Sequence, residues 1–479
     1  MSTSPLTAEV SPDLPPIPFG VQAETGAYLP DFDEAALSHL QKDTGSILKR
    51  AGDRVAHLGL EVERDADDLA QAGWGILFPA AMAEQDVATV RQALAPLLAL
   101  RKQEAGGLYR EFSGETGYSP GILARDWLEA QGSSLASVDP SQGVPYYLLL
   151  IGSPQDIPFA FQFELDTFFA VGRLYFNNTD EYATYAQNMV EQQKAAAPPH
   201  DRTIALLAPR NPADKATAMF HDSVAKSFLA TDSQPGLGSA LGYSLHAALA
   251  ADATKANVLD ILHGSSPARK PALFISGSHG VAFNQNDPDI RLKQGAMLTQ
   301  DWAGRPAPIL PSTYVTGADV AATAATPGMI HFFFACYSAA CPAEDTYSYN
   351  EMLEPTPIAP TEFLSRLPQA VLLNGAQAVI GHVDRVWANS FQNSRRAPMV
   401  QKLRNPIVRI LQGHRIGDAM DNVNQQWAGL AAALTLLLNQ RAAVKSLVSP
   451  SRLAAAFLER DDARNYIIIG DPAARLRTQ

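Results

Sequence analysis

Short apolar runs alternate with longer amphipathic stretches along most of this chain. The runs are rich in Ile, Val, Leu, Phe and Tyr, and polar, Gly or Pro residues follow them closely. This alternation is typical of α/β proteins, in which helices connect the buried strands of a mainly parallel sheet. The predicted strands are 74–78, 146–151, 204–208, 272–276, 330–335, 377–381 and 466–469, and the predicted helices include 86–101, 119–130, 179–195 and 212–229.

The same pattern divides the chain into four segments. Residues 1–35 are rich in proline, and we predict a partly disordered lead-in there. The stretch Ala197–His200 interrupts the pattern near the middle of the chain, so we predict a first α/β subdomain over 36–200 and a second over 201–397. Residues 398–479 are predicted to form a helical extension that returns a final strand to the sheet.

Composition narrows the range of partners. The 479 residues include 49 acidic and 37 basic side chains, which gives a formal net charge of −12. Nucleic acid and anionic membranes attract concentrated positive charge, so neither is an expected partner. No segment is apolar over the length of a membrane span, and only Cys336 and Cys341 could form a disulfide. We therefore expect a cytoplasmic protein; its oligomeric state does not follow from the sequence.

Two of the predicted strands lead into chemically reactive residues. Strand 272–276 is followed closely by His279 and Gly280, and strand 330–335 leads directly into Cys336. The carboxyl ends of neighbouring parallel strands face a common crevice. We therefore expect the thiol and the imidazole to meet in an accessible hollow.

These residue types are suited to nucleophilic catalysis. A thiol needs a base to take its proton, and His279 could then pass that proton to a leaving amine. The backbone N–H groups of Gly280 and Cys336 could stabilise an oxyanion. A cysteine in a Phe-rich strand is also often a simple buried apolar residue. The dipeptide His263-Gly264, in contrast, follows a helical pattern, and we interpret it as a helix cap.

The order strand-His-Gly and strand-Ala-Cys resembles that of the caspase-like cysteine peptidases. This group includes caspases, separases, CHAT domains and gingipains, and the closer likeness is to gingipain-type domains and their uncharacterised bacterial relatives. Further stretches that carry the resemblance are 147–152, 166–173, 378–387 and 470–476.

The resemblance implies a caspase-like three-layer α/β/α unit in which only the second subdomain supplies the catalytic residues. Cys336 then looks like the nucleophile, His279 the general acid/base and Gly280 an oxyanion-hole donor, with no cofactor or metal. The implied reaction is hydrolysis of peptide bonds in a protein or peptide substrate through an acyl-enzyme. The sequence does not identify an acidic residue that would orient His279.

Three residues after the strand 377–381 are candidates for substrate binding. His382, Asp384 and Trp387 should lie beside the dyad, and Trp387 looks like the tryptophan that packs against the substrate side chain in gingipains. An Asp384 carboxylate in the pocket would favour a basic substrate residue. Alternatively, Asp384 forms a surface ion pair with Arg385.

Two other functions remain open on the sequence alone. The chain could be a non-catalytic interaction protein that keeps the caspase-like fold and binds a partner. It could also be a cysteine-dependent amidase or acyltransferase that uses the same dyad on a small molecule.

Overall fold

The computed structural model describes residues 18–29, 59–135, 137–265, 270–320, 322–349, 354–392, 397–444 and 447–478. Of the predicted lead-in, residues 1–17 and 30–35 lie outside these ranges. The strands, in chain order, are β1 Gly20–Gln22, β2 Trp74–Leu77, β3 Tyr109–Phe112, β4 Tyr147–Ile151, β5 Ala170–Leu174, β6 Asp201–Ala208, β7 Ser244–Leu249, β8 Pro271–Gly277, β9 Gly280–Ala282, β10 Ala296–Leu298, β11 Tyr314–Val315, β12 Ile330–Phe334, β13 Ala340–Cys341, β14 Glu344–Tyr349, β15 Pro355–Pro357, β16 Phe363–Leu364, β17 Ala378–His382 and β18 Tyr466–Gly470.

The helices follow the predicted amphipathic segments, with some changes at their ends. The predicted helix 86–101 is two helices, because Pro96 occupies the start of the second, where a missing N–H costs nothing. No helix in the described ranges is long and apolar enough to cross a bilayer. The helices are α1 Leu69–Ala72, α2 Glu84–Ala93, α3 Ala95–Ala105, α4 Ala124–Ala130, α5 Phe159–Asp166, α6 Thr179–Lys194, α7 Lys215–Met219, α8 Lys226–Phe228, α9 Lys255–Leu262, α10 Ile290–Lys293, α11 Arg366–Leu373, α12 Gln401–Leu411, α13 Ile416–Ala443 and α14 Pro450–Arg464, with a π-helical turn, Phe220–Ala225, between α7 and α8.

A ten-stranded sheet forms the centre of the molecule, in the order β3-β2-β4-β5-β18-β17-β12-β8-β6-β7. All neighbouring strands are parallel except β17 and β18, which are antiparallel. The sheet therefore consists of two parallel blocks that run in opposite directions and meet where the C-terminal strand β18 is inserted. The predicted mainly parallel α/β fold is confirmed.

The inner strands are buried on both faces. Every residue of β4, β8, β12 and β17 is buried, which requires layers of structure above and below the sheet. Their runs of Leu, Ile, Val and Phe form one continuous apolar core with the flanking helices. This burial explains why these strands appear in the sequence as uninterrupted apolar runs.

A second, four-stranded sheet has the order β1-β9-β10-β11. Its strand β1 pairs in parallel with β9, with Gly20 opposite Gly280. Residues 18–29 belong to the segment predicted as a lead-in, yet Phe19 and Val21 are buried. The small sheet thereby brings the beginning of the described chain to the end of β8.

Candidate active site

The candidate site lies at the carboxyl edge of β8 and β12. These strands are parallel with Gly277 opposite Phe334, and His279 and Cys336 each follow two residues later. The N–H of Ser278 donates to the carbonyl of Phe334 (3.1 Å), which holds the two strand ends together beyond their last pair. The structure therefore brings the backbones of His279 and Cys336 to the same edge of the sheet.

Gly280 lies directly against the backbone of Cys336. A Cβ atom at position 280 would be 1.7 Å from the Cys336 carbonyl oxygen and 3.0 Å from the Cys336 nitrogen. No side chain fits at this distance, so the close approach requires glycine. The two main chains therefore lie side by side.

Asp214 is an acidic partner of His279 that the sequence analysis missed. Its Oδ2 lies 2.8 Å from His279 Nε2, and both side chains are fully buried. Asp214 caps α7, because its Oδ1 accepts hydrogen bonds from the N–H and the hydroxyl of Thr217, each at 2.8 Å. The preceding Ala213 has a left-handed φ of 56°, a strained conformation of the kind often found near functional residues.

The contact with His279 keeps Asp214 ionised, and it fixes the orientation of the His279 ring. Burial alone would raise the pKa of Asp214, but the electrostatic interaction and hydrogen bond with His279 and the hydrogen bonds from Thr217 lower it to about 2. The carboxylate is an acceptor only, so it holds the proton on Nε2. Nδ1 of His279 is buried and has no hydrogen-bond partner among the described residues, which leaves its lone pair open.

The sulfur of Cys336 lies against the chain that follows β17. The N–H of Val386 donates to Sγ at 3.3 Å, and Sγ lies 3.8 Å from the Val386 carbonyl. Burial raises the pKa of the Cys336 thiol, so the thiol is protonated in this conformation. A nearby base is therefore needed before this sulfur can act as a nucleophile.

The backbone turns sharply just after Cys336. Tyr337 has a left-handed φ of 57°, and its N–H donates to the Asp384 carbonyl at 3.0 Å. The hydroxyl of Ser365 donates to the Tyr337 carbonyl at 2.6 Å. These bonds hold a strained residue next to Cys336, and strain of this kind is most often found at functional sites.

The expectation of an accessible hollow is wrong for this conformation. Cys336 and His279 are both 0% exposed. Residues 18–29 cover them: the ring of Phe19 lies 6.1 Å from the His279 ring, and that of Tyr28 lies 5.6 Å from it. The site is thus closed by a remote part of the same chain.

His382 and Asp384 are both buried beside this site. Nδ1 of His382 lies 3.0 Å from the Asp384 carbonyl and Nε2 lies 2.9 Å from the Asp462 carbonyl, while burial lowers the pKa of the ring to about 4. The Asp384 carboxylate accepts the Arg385 N–H at 2.7 Å, and burial raises its pKa to about 7. The guanidinium of Arg385 is buried with Asp345, so this is not a surface location.

Trp387 packs against the helical extension. Its ring meets that of Tyr347 edge to face at 5.4 Å, in a cluster with Leu434, Leu453 and Phe457 of the helices α13 and α14. Its backbone also forms an isolated antiparallel bridge with Pro18. The tryptophan backbone therefore lies next to the chain that covers the site, while its ring is part of a separate apolar cluster.

One group in the described ranges has side chains that could hold a metal ion. The ligand atoms of Asp67, His414 and Asp418 lie within 4.8 Å of one another. Each of these residues already has a partner, since His414 pairs with Asp67 at 2.7 Å and Arg409 pairs with Asp418. The group consists of residues from other elements than those that carry Cys336 and His279, so it is not part of the candidate active site.

Comparisons with known proteins bear on the fold. No protein-family model and no curated protein matches the sequence. Among solved structures, the chain is similar to the Arg-specific cysteine proteinase gingipain R, with a TM-score of 0.45, 11% identity, and coverage of 88% of this chain and 81% of that chain.

Two further structures are similar. The complex of Porphyromonas gingivalis RgpB pro- and mature domains gives a TM-score of 0.44, 12% identity, and coverage of 85% and 80%. The Saccharomyces cerevisiae separase–securin complex gives a TM-score of 0.28 and 11% identity, and the match covers 69% of this chain and 16% of that chain. At these identities the likeness is one of fold alone.

Proposed function

We propose that the chain is a cysteine endopeptidase whose catalytic residues are Cys336, His279 and Asp214. The observation that supports this is the fixed imidazole: Asp214 holds Nε2, Nδ1 has no partner among the described residues, and the backbones of His279 and Cys336 leave neighbouring strands at the same edge of the sheet. A nucleophile, a base and a group that orients the base are the parts that covalent hydrolysis needs. Gly280 supplies a backbone donor beside the nucleophile.

In the proposed reaction, Nδ1 of His279 takes the thiol proton and the sulfur attacks a peptide carbonyl carbon. The resulting oxyanion accepts hydrogen bonds from the N–H groups of Gly280 and Cys336. The C–N bond then breaks, and the amine leaves with the proton from His279. Water, deprotonated by the same ring, hydrolyses the thioester and restores the thiol.

A peptide acyloxymethyl ketone tests this proposal, because it alkylates an activated active-site thiol. The chain offers a matched control: Cys341 is a second free, buried cysteine, to whose sulfur Gln294 donates at 3.4 Å. We expect one label on the wild type and on Cys341→Ala, and none on Cys336→Ala or His279→Ala. Intact-protein mass and peptide mapping give the readout. Labelling of Cys341, or labelling that survives His279→Ala, would contradict the assignment.

The complete burial of Cys336 favours a second candidate, a non-catalytic protein that keeps the fold as a binding scaffold. In that case no variant is labelled and no peptide is cleaved. An amidase or acyltransferase that acts on a small molecule would be labelled at Cys336 but would cleave no member of a mixed peptide library. The library, incubated with the wild type and with Cys336→Ala, therefore separates the three functions.

A further inference from the structure

The segment that covers the site is bonded like a peptide bound for cleavage. The N–H of Phe19 donates to the carbonyl of Val386 at 3.1 Å, and the carbonyl of Phe19 accepts the N–H of Gly280 at 3.0 Å. Gly280 is the proposed oxyanion-hole donor. A carbonyl that accepts from this N–H occupies the place where a substrate carbonyl would be polarised.

The chain continues past this carbonyl on both sides of the site. Before it, Pro18 bridges Trp387 in antiparallel fashion; after it, Gly20 begins β1, which pairs in parallel with β9. Strand addition of this kind is a common way for an enzyme or binding domain to hold an extended peptide. The segment therefore enters, crosses and leaves the site without interruption.

The sulfur lies next to the bond between Phe19 and Gly20. A Cβ atom at position 20 would lie 3.0 Å from Sγ of Cys336. The peptide unit that ends at Gly20 is thus adjacent to the proposed nucleophile, and its carbonyl is the one that Gly280 bonds. Both features single out the same peptide bond.

The side chain of Phe19 fills an aromatic pocket. Its ring is 4.9 Å from that of Phe334, 5.9 Å from that of Phe391 and 6.4 Å from that of Phe220, all edge to face. These distances and angles are favourable for aromatic pairs, and Phe19 is completely buried. A charged side chain in the same place would lose its hydration among these rings.

We propose that the Phe19–Gly20 peptide bond of the chain is the first substrate of the enzyme, and that the site prefers an aromatic residue before the bond it cuts. This inference rests on the proposed function. Sγ of Cys336 bonds to the Phe19 carbonyl carbon, the C–N bond breaks, and the Gly20 amine leaves with a proton from His279. Water hydrolyses the thioester and releases residues 1–19, which vacates the aromatic pocket for other substrates.

The first test follows the full-length chain by intact mass and N-terminal sequencing. We expect the wild type and Cys341→Ala to convert to a chain that begins at Gly20, at a rate independent of protein concentration. Cys336→Ala should stay intact. A wild-type chain that remains intact after prolonged incubation overturns the proposal, and so does a cut at this bond in Cys336→Ala.

The second test addresses the aromatic preference. Phe19→Leu should slow the cut by about tenfold, which is a usual factor for a change of shape in an apolar pocket. Phe19→Arg should slow it by at least about 100-fold, because it also brings a charge into that pocket. Since a variant could also disturb folding, wild-type protein is treated in parallel with ketone probes that carry Phe or Arg. Faster labelling by the Phe probe is expected, and equal or faster labelling by the Arg probe overturns the preference.

The two tests together separate this inference from the proposed function. His279-dependent labelling of Cys336 without a cut after Phe19 would leave a peptidase whose first substrate is not its own chain. If neither probe labels Cys336 and the chain is not cut, both the self-cleavage and the proposed peptidase function are wrong.

Discussion

Replacing Asp214 by Asn changes the charge of the group that holds His279 while it keeps the shape. Asn is as good a helix cap as Asp, so the bonds from Thr217 to the side-chain oxygen can persist. The amide, however, can donate to Nε2, and the ring proton then moves to Nδ1. His279 would lose the lone pair that should accept the thiol proton of Cys336.

The substitution should have two effects, a loss of stability and a loss of reactivity. The buried pair lowers the pKa of Asp214 from its ordinary 3.8 to about 2, because His279 and Thr217 outweigh the cost of burial. A shift of this size corresponds to about 2 kcal/mol of stability at neutral pH. The tautomer change should in addition slow labelling or cleavage by roughly three to four orders of magnitude.

Urea unfolding as a function of pH tests the first effect. Since the pKa of Asp214 is lower in the folded state, its contribution is present above about pH 4 and is lost as the pH falls towards 2. Asp214→Asn should therefore be less stable than wild type by about 2 kcal/mol at pH 7, and the difference should shrink below pH 4. Asp214→Ala also loses the cap and should cost about 1 kcal/mol more. A constant difference down to pH 2 would refute the contact between Asp214 and His279.

Further substitutions test the packing of the fold. Gly280→Ala places a methyl group on the Cys336 carbonyl and should lower the free energy of unfolding by about 3 kcal/mol, whereas Gly107→Ala, with nothing within 4 Å, should change it by less than about 0.5 kcal/mol. Similar losses in both variants would contradict the close approach. Asp471→Ala removes the carboxylate that lies 2.7 Å from the buried Arg101 and leaves Glu104 as its acidic partner, and it should cost about 2 kcal/mol in urea unfolding. A loss below about 1 kcal/mol would show that the pair is not needed.

The strands that the sequence predicts are those buried on both faces. Ile330–Phe334 is completely buried, and its apolar run predicts a strand in the interior of the sheet. Ser244–Leu249, in contrast, lies at the edge of the sheet and is partly exposed, so its sequence has no such run and it was missed. The helix cap predicted at His263-Gly264 is present: His263 is the C-cap of α9, and Gly264 follows it with a φ of 71°.

The sequence around Asp214 indicates a helix cap, but it does not indicate that this cap lies next to His279. An Asp three residues before Thr217 is a good helix cap, and the segment follows the strand β6. Only the order of the sheet, in which β6 is next to β8, puts that cap beside His279. The order of the strands depends on contacts between segments that are far apart in the chain. The hydrophobic pattern of a short stretch of sequence therefore does not predict it.

The closure of the site also depends on contacts between segments that are far apart in the chain, and the bonds that close it have a chemical consequence. Buried backbone groups need hydrogen-bond partners, and the Val386 carbonyl and the Gly280 N–H both find theirs on Phe19. Departure of residues 18 and 19 would leave one acceptor and one donor facing an emptied aromatic pocket, ready for another extended peptide. The groups that bind the segment are thus the groups that a substrate requires. A proline-rich stretch about 260 positions before His279 gives no sequence sign of this, since the complementarity exists only once both have folded.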